Sequence, residues 1–253
     1  MQNVTQTPAV KTAIAQLIAR LADNKYYLGR YFAEWCSGAP TLESAVASAA
    51  MAQDELGHAR ALYPLLRSLQ PEAGAENEPE TRTVFSNVSY LDQSFAAWED
   101  FIAANVLIDG ALTTVFAAAL ASSYEPLAGR ARKVLQEERT HAMHGDGWVR
   151  RLAREGGAVH AAIERALQRD WDETLCWFGQ DDDETLASAG VLDAPPSELR
   201  ARFLAAVAPT IEAAHLAIPI RHAGDGWELT APLPWDRWDA IRYRLNAADK
   251  QGK

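Results

Sequence analysis

The sequence is poor in cysteine, in long apolar runs and in positive charge, and each shortage excludes a class of protein. Its 253 residues include two cysteines, Cys36 and Cys176, too few for a disulfide framework, so a reduced, cytoplasmic protein is expected. Neither a signal peptide nor a membrane span is expected, because no apolar run opens the chain and no 18-residue uncharged apolar stretch follows. The 24 basic residues against 34 acidic ones argue against nucleic acid or an anionic membrane as the main partner.

Hydrophobic residues, in contrast, make up 48% of the chain and recur with helical spacing. This three-and-four spacing predicts helices over 9–35, 42–69, 94–122, 127–154 and 158–178. The polar stretch 70–93 has the character of the long crossover that joins two helical hairpins in some four-helix bundles. Later in the chain we predict an acidic loop, a short helix, a hairpin and a last helix, at 180–184, 197–208, 218–235 and 236–248.

Two Glu-x-x-His segments lie in the middle of predicted helices on either side of the crossover. Glu55 and His58 belong to the second helix, and Glu138 and His141 belong to the fourth. A spacing of three residues places Glu and His on one helical face, one turn apart, and in both helices that face also carries apolar residues. Both pairs should therefore point into the bundle, where a carboxylate without a cation is very costly.

This pattern is typical of ferritin-like bundles, in which two such helices and a carboxylate from each of the other two bind two metal ions. Asp109, alone in the apolar third helix, is expected to supply one of those carboxylates. Oxygen and imidazole ligands suit iron, with manganese as an alternative. We therefore predict an all-α protein: one ferritin-like domain over 1–253, with the bundle in 1–155, a C-terminal helical extension in 156–253, and one or two iron ions.

The first helix departs from the pattern. Asn24 and Lys25 stand at the level where a carboxylate is expected, and Asp23, close by but off the inward face, is predicted as a charge partner of the site. A protonated lysine cannot bind a metal, but it can pair with the buried carboxylates. Three outcomes stay open: two metals with one ligand missing, one metal, or a metal-free site in which Lys25 replaces the metal charge.

Further polar residues flank the predicted ligands. Metal-bound histidines usually donate their free N–H to a carboxylate, so Asp54 could orient His141 and Glu137 could orient His58 across the bundle. The alternative is that both acids are surface residues beside the motif. Asn105 lies on the inward face of the third helix, one turn before the predicted aspartate ligand.

Four motifs, in this order, resemble those of the bacterial phenylacetyl-CoA epoxidase A/C subunit family. They are Gln53-Asp54-Glu55-Leu56-Gly57-His58-Ala59, Leu107-Ile108-Asp109-Gly110-Ala111, Glu137-Glu138-x-x-His141, and Trp177-Phe178-Gly179 before the acidic loop. The resemblance extends from about Leu17 to about Trp235. It implies a ferritin-like fold and one of two roles in a multisubunit enzyme. The catalytic kind has a di-iron centre that epoxidises an aromatic CoA thioester, and the structural kind has its metal ligands largely lost.

The chain combines features of both kinds. Its Glu-x-x-His segments and Asp109 match the catalytic ligand motifs, whereas its first helix is more similar to that of the structural kind and has Lys25 in place of a ligand glutamate. The leading hypothesis is therefore a non-haem iron oxygenase component that acts on an aromatic or unsaturated substrate, such as a CoA ester. The rival is a metal-free structural subunit. Either would form homo-oligomers or hetero-oligomers with related subunits and work with an electron-donating reductase.

Overall fold

The computed structural model describes residues 7–71 and 79–246, and these residues are mainly helical. Two short antiparallel hairpins follow the helices and pair β1 with β2 and β3 with β4. The elements are α1 (Pro8–Glu34), α2 (Leu42–Leu69), α3 (Trp98–Ala118), α4 (Glu125–Glu155), α5 (Gly157–Cys176), α6 (Thr185–Ser188), α7 (Pro196–Ala213), β1 (Ile220–Ala223), β2 (Gly226–Leu229), β3 (Trp238–Asp239) and β4 (Arg244–Leu245). The predicted all-α, ferritin-like class is confirmed.

Helices α1 to α4 form the bundle. The α1–α2 hairpin packs along most of its length, α3 packs on α4, and contacts between α2 and α4 join the two hairpins. Close approach of α1 and α2 depends on Gly29, because a Cβ atom there would lie 2.7 Å from Cγ of Leu56. Thr41 caps the N-terminus of α2, where its side chain accepts a hydrogen bond from the backbone N–H of Ser44.

Helix α3 forms the centre of the molecule and contains one π-helical turn, Asn105–Asp109. Such turns insert one extra residue and are frequent at functional sites. The helix is long and apolar enough to cross a membrane by composition alone, but most of its apolar window is buried within the fold. Its apolar character is that of a core helix, since α4, α5 and α7 all pack against it.

Asp23 lies outside the carboxylate–histidine site for which it was predicted as a charge partner. Its carboxylate accepts hydrogen bonds from the hydroxyl of Tyr63 at 2.9 Å, from Arg82 at 2.8 Å and from the backbone N–H of Ser86 at 2.7 Å. The neighbouring Asn24 donates to the backbone carbonyl of Arg20, one turn earlier. Asp23 therefore fixes the crossover against α1, because its side chain leaves the helix on the flank that faces residues 82–86.

The predicted last helix, 236–248, is wrong within the described residues. A 3₁₀ turn and the β3–β4 hairpin take its place, and 247–248 lie outside the described part of the chain. The carboxylate of Asp239 accepts hydrogen bonds from the backbone N–H groups of Ile241 and Arg242, at 2.9 and 3.1 Å. Such local bonds compete with helix formation. Arg244 then pairs with Asp92 of the crossover, which holds the hairpin against the bundle.

Candidate carboxylate–histidine site

Six of the predicted side chains meet in the middle of the bundle, and all four helices contribute. Each is at least 97% buried. The turn-by-turn register of the two Glu-x-x-His segments brings them to the same depth as the π-helical turn of α3. The six are Lys25 from α1, Glu55 and His58 from α2, Asp109 from α3, and Glu138 and His141 from α4.

Lys25 lies between the three carboxylates. Its Nζ atom is 2.5 Å from Oδ1 of Asp109, 2.6 Å from Oε1 of Glu138 and 2.9 Å from Oε2 of Glu55. An ammonium group has three N–H donors, so each carboxylate can accept one charge-assisted hydrogen bond. Lys25 is thus the common partner of all three buried acids.

The outer nitrogens of both histidines contact carboxylates, in the pairing expected from the sequence. Nε2 of His58 lies 2.6 Å from Oε2 of Glu137, and Nε2 of His141 lies 3.4 Å from Oδ2 of Asp54. Glu137 and Asp54 are each about one-third exposed, so they join the site to solvent. These contacts fix the ring orientations and favour a proton on each Nε2.

The inner nitrogens of the two imidazoles face the acids. Nδ1 of His141 lies 3.1 Å from Oε1 of Glu55 and 3.3 Å from Oδ2 of Asp109. Nδ1 of His58 lies 3.4 Å from Oε1 of Glu138. In this arrangement a protonated His141 can donate from both ring nitrogens to carboxylates, whereas Nδ1 of His58 faces the acids without a hydrogen bond to any described residue.

Burial and attraction compete at every charged group of the site. Burial opposes the charged ammonium, but Asp109, Glu138 and Glu55 together raise the pKa of Lys25 well above its usual value. Burial likewise disfavours a charged His141, yet hydrogen bonds to the same three acids raise its pKa strongly. Burial is also the largest single influence on His58 and lowers its pKa, but the interactions with Glu55 and the charge of Glu138 together raise the pKa above its usual value.

The pKa values of two of the buried acids shift in opposite directions. Burial acts to raise the pKa of Asp109, but the Lys25 charge and a hydrogen bond from His141 lower it far below its ordinary range. The pKa of Glu138 is raised, first by burial and then by the nearby Asp109 charge. With both histidines protonated, three positive groups balance the three buried carboxylates without any ion from solution.

Two side chains of α3 hold the acids in place. Nδ2 of Asn105 donates to Oδ2 of Asp109 at 3.2 Å, and the hydroxyl of Thr113 donates to Oε2 of Glu138 at 3.0 Å. Asn105 was predicted near the site, whereas Thr113 was missed. Its position, one turn after Asp109 on the same apolar helix, was the available signal.

The chemical types of the side chains in the site suit a metal ion, but the position of Lys25 disfavours metal binding. Glu55, Asp109, Glu138 and His141 each offer a ligand atom, and these atoms lie within 4.8 Å of one another, so the group could hold a metal ion. A two-metal centre does not fit the residues present, because α1 contributes no carboxylate to the site. In addition, the Lys25 ammonium already uses the oxygens that a cation would need.

A cleft of about 340 Å³ opens beside the site, between α3, α4 and α7. Asp109 and Glu138 lie at its inner end, while Asp146 and Arg202 lie among its charged lining residues. The walls are mostly small and apolar. The cleft therefore gives a molecule from solution a route toward the carboxylates.

A bundle with paired Glu-x-x-His helices around buried acids defines a ferritin-like protein of the carboxylate–histidine class. The chain belongs to the family described as phenylacetic acid catabolic protein, whose family model matches residues 1–228. It is 30% identical over 206 residues to the C subunit of 1,2-phenylacetyl-CoA epoxidase from Escherichia coli (strain K12), covering 81% of this chain and 83% of that protein. The A subunit of the same epoxidase is 29% identical over 192 residues, covering 73% of this chain and 62% of that protein. The family resemblance seen in the motifs is confirmed.

Proposed function

We propose that this chain is a non-catalytic subunit of a multicomponent oxygenase of the phenylacetyl-CoA epoxidase type. The observation that supports this proposal is the Lys25 ammonium within 3.0 Å of three carboxylates from three other helices, with 0% of its side chain exposed. The sequence favoured a metal-bearing component, with the metal-free structural role as its rival. The position of Lys25 reverses that preference.

Physical chemistry explains why this arrangement stabilises a bundle that holds no metal. Three carboxylates cannot be buried together unless positive charge neutralises them. Lys25 supplies one charge at their centre, and the two imidazolium groups supply the others at the edge. The family's metal-binding residues on α2, α3 and α4 then serve as partners for a lysine that replaces a ligand glutamate.

The proposed partner is a related ferritin-like subunit that carries the metal and the reaction. The two relatives are the A and C subunits of one epoxidase, which supports a hetero-oligomer of similar chains. In this assembly the reductase would deliver electrons to the partner, where an aromatic or unsaturated substrate, such as a CoA ester, would react. We place the assembly in the cytoplasm, in keeping with two free cysteines, Cys36 and Cys176.

Metal analysis of the wild-type protein and its Lys25→Glu variant tests the proposal. Wild-type protein grown with iron, or incubated with Fe(II) under anaerobic conditions, is expected to contain substoichiometric iron. Lys25→Glu restores a carboxylate on α1 and should gain iron, seen both by elemental analysis and as a rise of the melting temperature with added Fe(II). Adding Glu138→Ala to that variant should abolish the gain. Stoichiometric iron in the wild type that Glu138→Ala removes would overturn the proposal.

A metal-bearing oxygenase component is the second candidate, and the histidine geometry favours it. Both imidazoles direct Nδ1 inward and hold Nε2 against a carboxylate, as metal-bound histidines usually do. The ion would be iron, or manganese in its place, bound by Glu55, His58, Asp109, Glu138 and His141, and the ligand atoms of all but His58 lie within 4.8 Å of one another. This function requires Lys25 to leave the carboxylates, and the same metal analysis distinguishes it from the first.

A further inference from the structure

The cleft between α3, α4 and α7 has the dimensions and lining of a small-molecule site. Its volume of about 340 Å³ lies within the range of ordinary ligand pockets, roughly 300–1,000 Å³. Its apolar lining comes from three helices and is built from small side chains, which leaves room for a flat or compact molecule. These residues include Val106, Ala117, Ala142, Ala206 and Val207.

The neutral polar side chains of the cleft offer hydrogen-bond acceptors. Thr113 donates its hydroxyl proton to Glu138, and Thr114 donates its own to the backbone carbonyl of Gly110 at 2.9 Å. Each hydroxyl oxygen therefore retains lone pairs but has no proton left for a ligand. A molecule in the cleft would meet acceptors on this wall, so it would need to bring the donor itself.

Asn105 extends the same pattern. Its Nδ2 donates to Asp109, and reversing the amide would place two oxygens against each other, so the orientation is fixed. Its Oδ1 atom is buried and has no donor among the residues that the structure describes. A Cβ atom at Gly145 would lie 2.7 Å from Oδ1, so the oxygen faces that glycine, which also lines the cleft.

Arg202, the cation among the lining residues, has acidic partners of its own, which disfavours an anionic ligand. Arg202 pairs with Asp193 at 2.6 Å and with Glu198 at 2.7 Å. Asp109 and Glu138 at the inner end already contact the Lys25 ammonium, at 2.5 and 2.6 Å. We therefore propose that the cleft binds a neutral, mainly apolar molecule that carries a hydroxyl group. This goes beyond the proposed structural role and does not depend on it.

Binding of phenol to the metal-free wild-type protein tests the proposal, with anisole as the probe that lacks a donor. By titration calorimetry or ligand-observed NMR, phenol should bind saturably and about tenfold more tightly than anisole, a difference of ~1.4 kcal/mol. Thr114→Val removes an acceptor and should reduce that ratio. Equal affinities for the two probes, or no saturable binding of phenol, would overturn the proposal, and so would tighter binding of benzylamine, because Asp146 would then govern the site.

A matched pair of substitutions on α7 localises the binding. Ala206 and its neighbour Ala205 are both exposed, but only Ala206 is part of the cleft lining. Ala206→Leu should fill the cleft and weaken phenol binding at least tenfold, while Ala205→Leu should leave it unchanged. Equal effects of the two substitutions would show that phenol binds elsewhere and would overturn the assignment. Iron content does not enter either result, so this test and the metal analysis can fail separately.

Discussion

Replacing Lys25 with methionine removes the common partner of three buried carboxylates while keeping most of the side-chain volume. Breaking one buried ion pair by removing one partner costs about 3–5 kcal/mol. Lys25 lies within 3.0 Å of all three acids, so we expect a loss of about 4–5 kcal/mol in the free energy of unfolding. For a chain of this length that corresponds to a fall of about 8–20 °C in melting temperature.

The stability lost in the Lys25→Met variant should become smaller at lower pH. The Lys25 charge lowers the pKa values of Asp109 and Glu138, so removing it raises the folded-state pKa values of these two acids. The folded variant therefore takes up protons more readily than the wild type as the pH falls. Acidification from pH 7 to pH 5 should therefore narrow the gap between variant and wild type. The Lys25 charge of the wild type is present throughout this interval, because its folded pKa is raised well above its usual value.

Urea unfolding followed by circular dichroism measures both effects. Lys11→Met, an exposed position on the same helix, is the control and should change stability by less than about 0.5 kcal/mol. Combining Lys25→Met with Glu138→Gln should restore part of the loss, because one uncompensated charge is removed. A Lys25→Met protein as stable as the Lys11→Met control would refute the reasoning.

Two other predictions concern packing and acid stability. Gly29→Ala should lower the free energy of unfolding by about 1–3 kcal/mol, because its Cβ would lie 2.9 Å from the backbone nitrogen of Leu56. Gly57→Ala, with open space around it, is the control and should be neutral or stabilising. Equal urea midpoints for the two variants would contradict the close approach of α1 and α2. Burial lowers the pKa of His144 to about 4, so the folded state binds fewer protons than the unfolded state and stability falls as the pH drops from about 6.5 toward 4. Urea unfolding at pH 6.5 and pH 4 should show a smaller loss of stability on acidification for His144→Phe than for the wild type. An equal loss in the two proteins would show that buried His144 is not its cause.

Helical register carries most of the information about which of the predicted side chains meet in the bundle. A spacing of three residues in each Glu-x-x-His segment determines which face holds the pair, and the apolar neighbours determine that this face is inward. The same register placed Lys25 at the level of the acids. Which of the three open outcomes holds could not be read from spacing, because it depends on whether the flexible lysine side chain reaches the carboxylates.

The features that the sequence did not predict depend on contacts between residues that are far apart in the sequence. Asp23 was assigned to the site by proximity in sequence, but its partners come from the crossover and α2. The π-helical turn Asn105–Asp109 has no marked residue pattern that would distinguish it in the sequence. The hairpin after residue 237 replaced a predicted helix, because Asp239 binds the local backbone and Arg244 pairs with Asp92.

Diffraction data collected at the iron absorption edge, from crystals of protein produced with iron, test the central claim most directly. The account predicts no anomalous peak among the acids, with the Lys25 ammonium in hydrogen-bonding contact with Glu55, Asp109 and Glu138. An iron peak between those carboxylates, with the lysine side chain turned away, would contradict it.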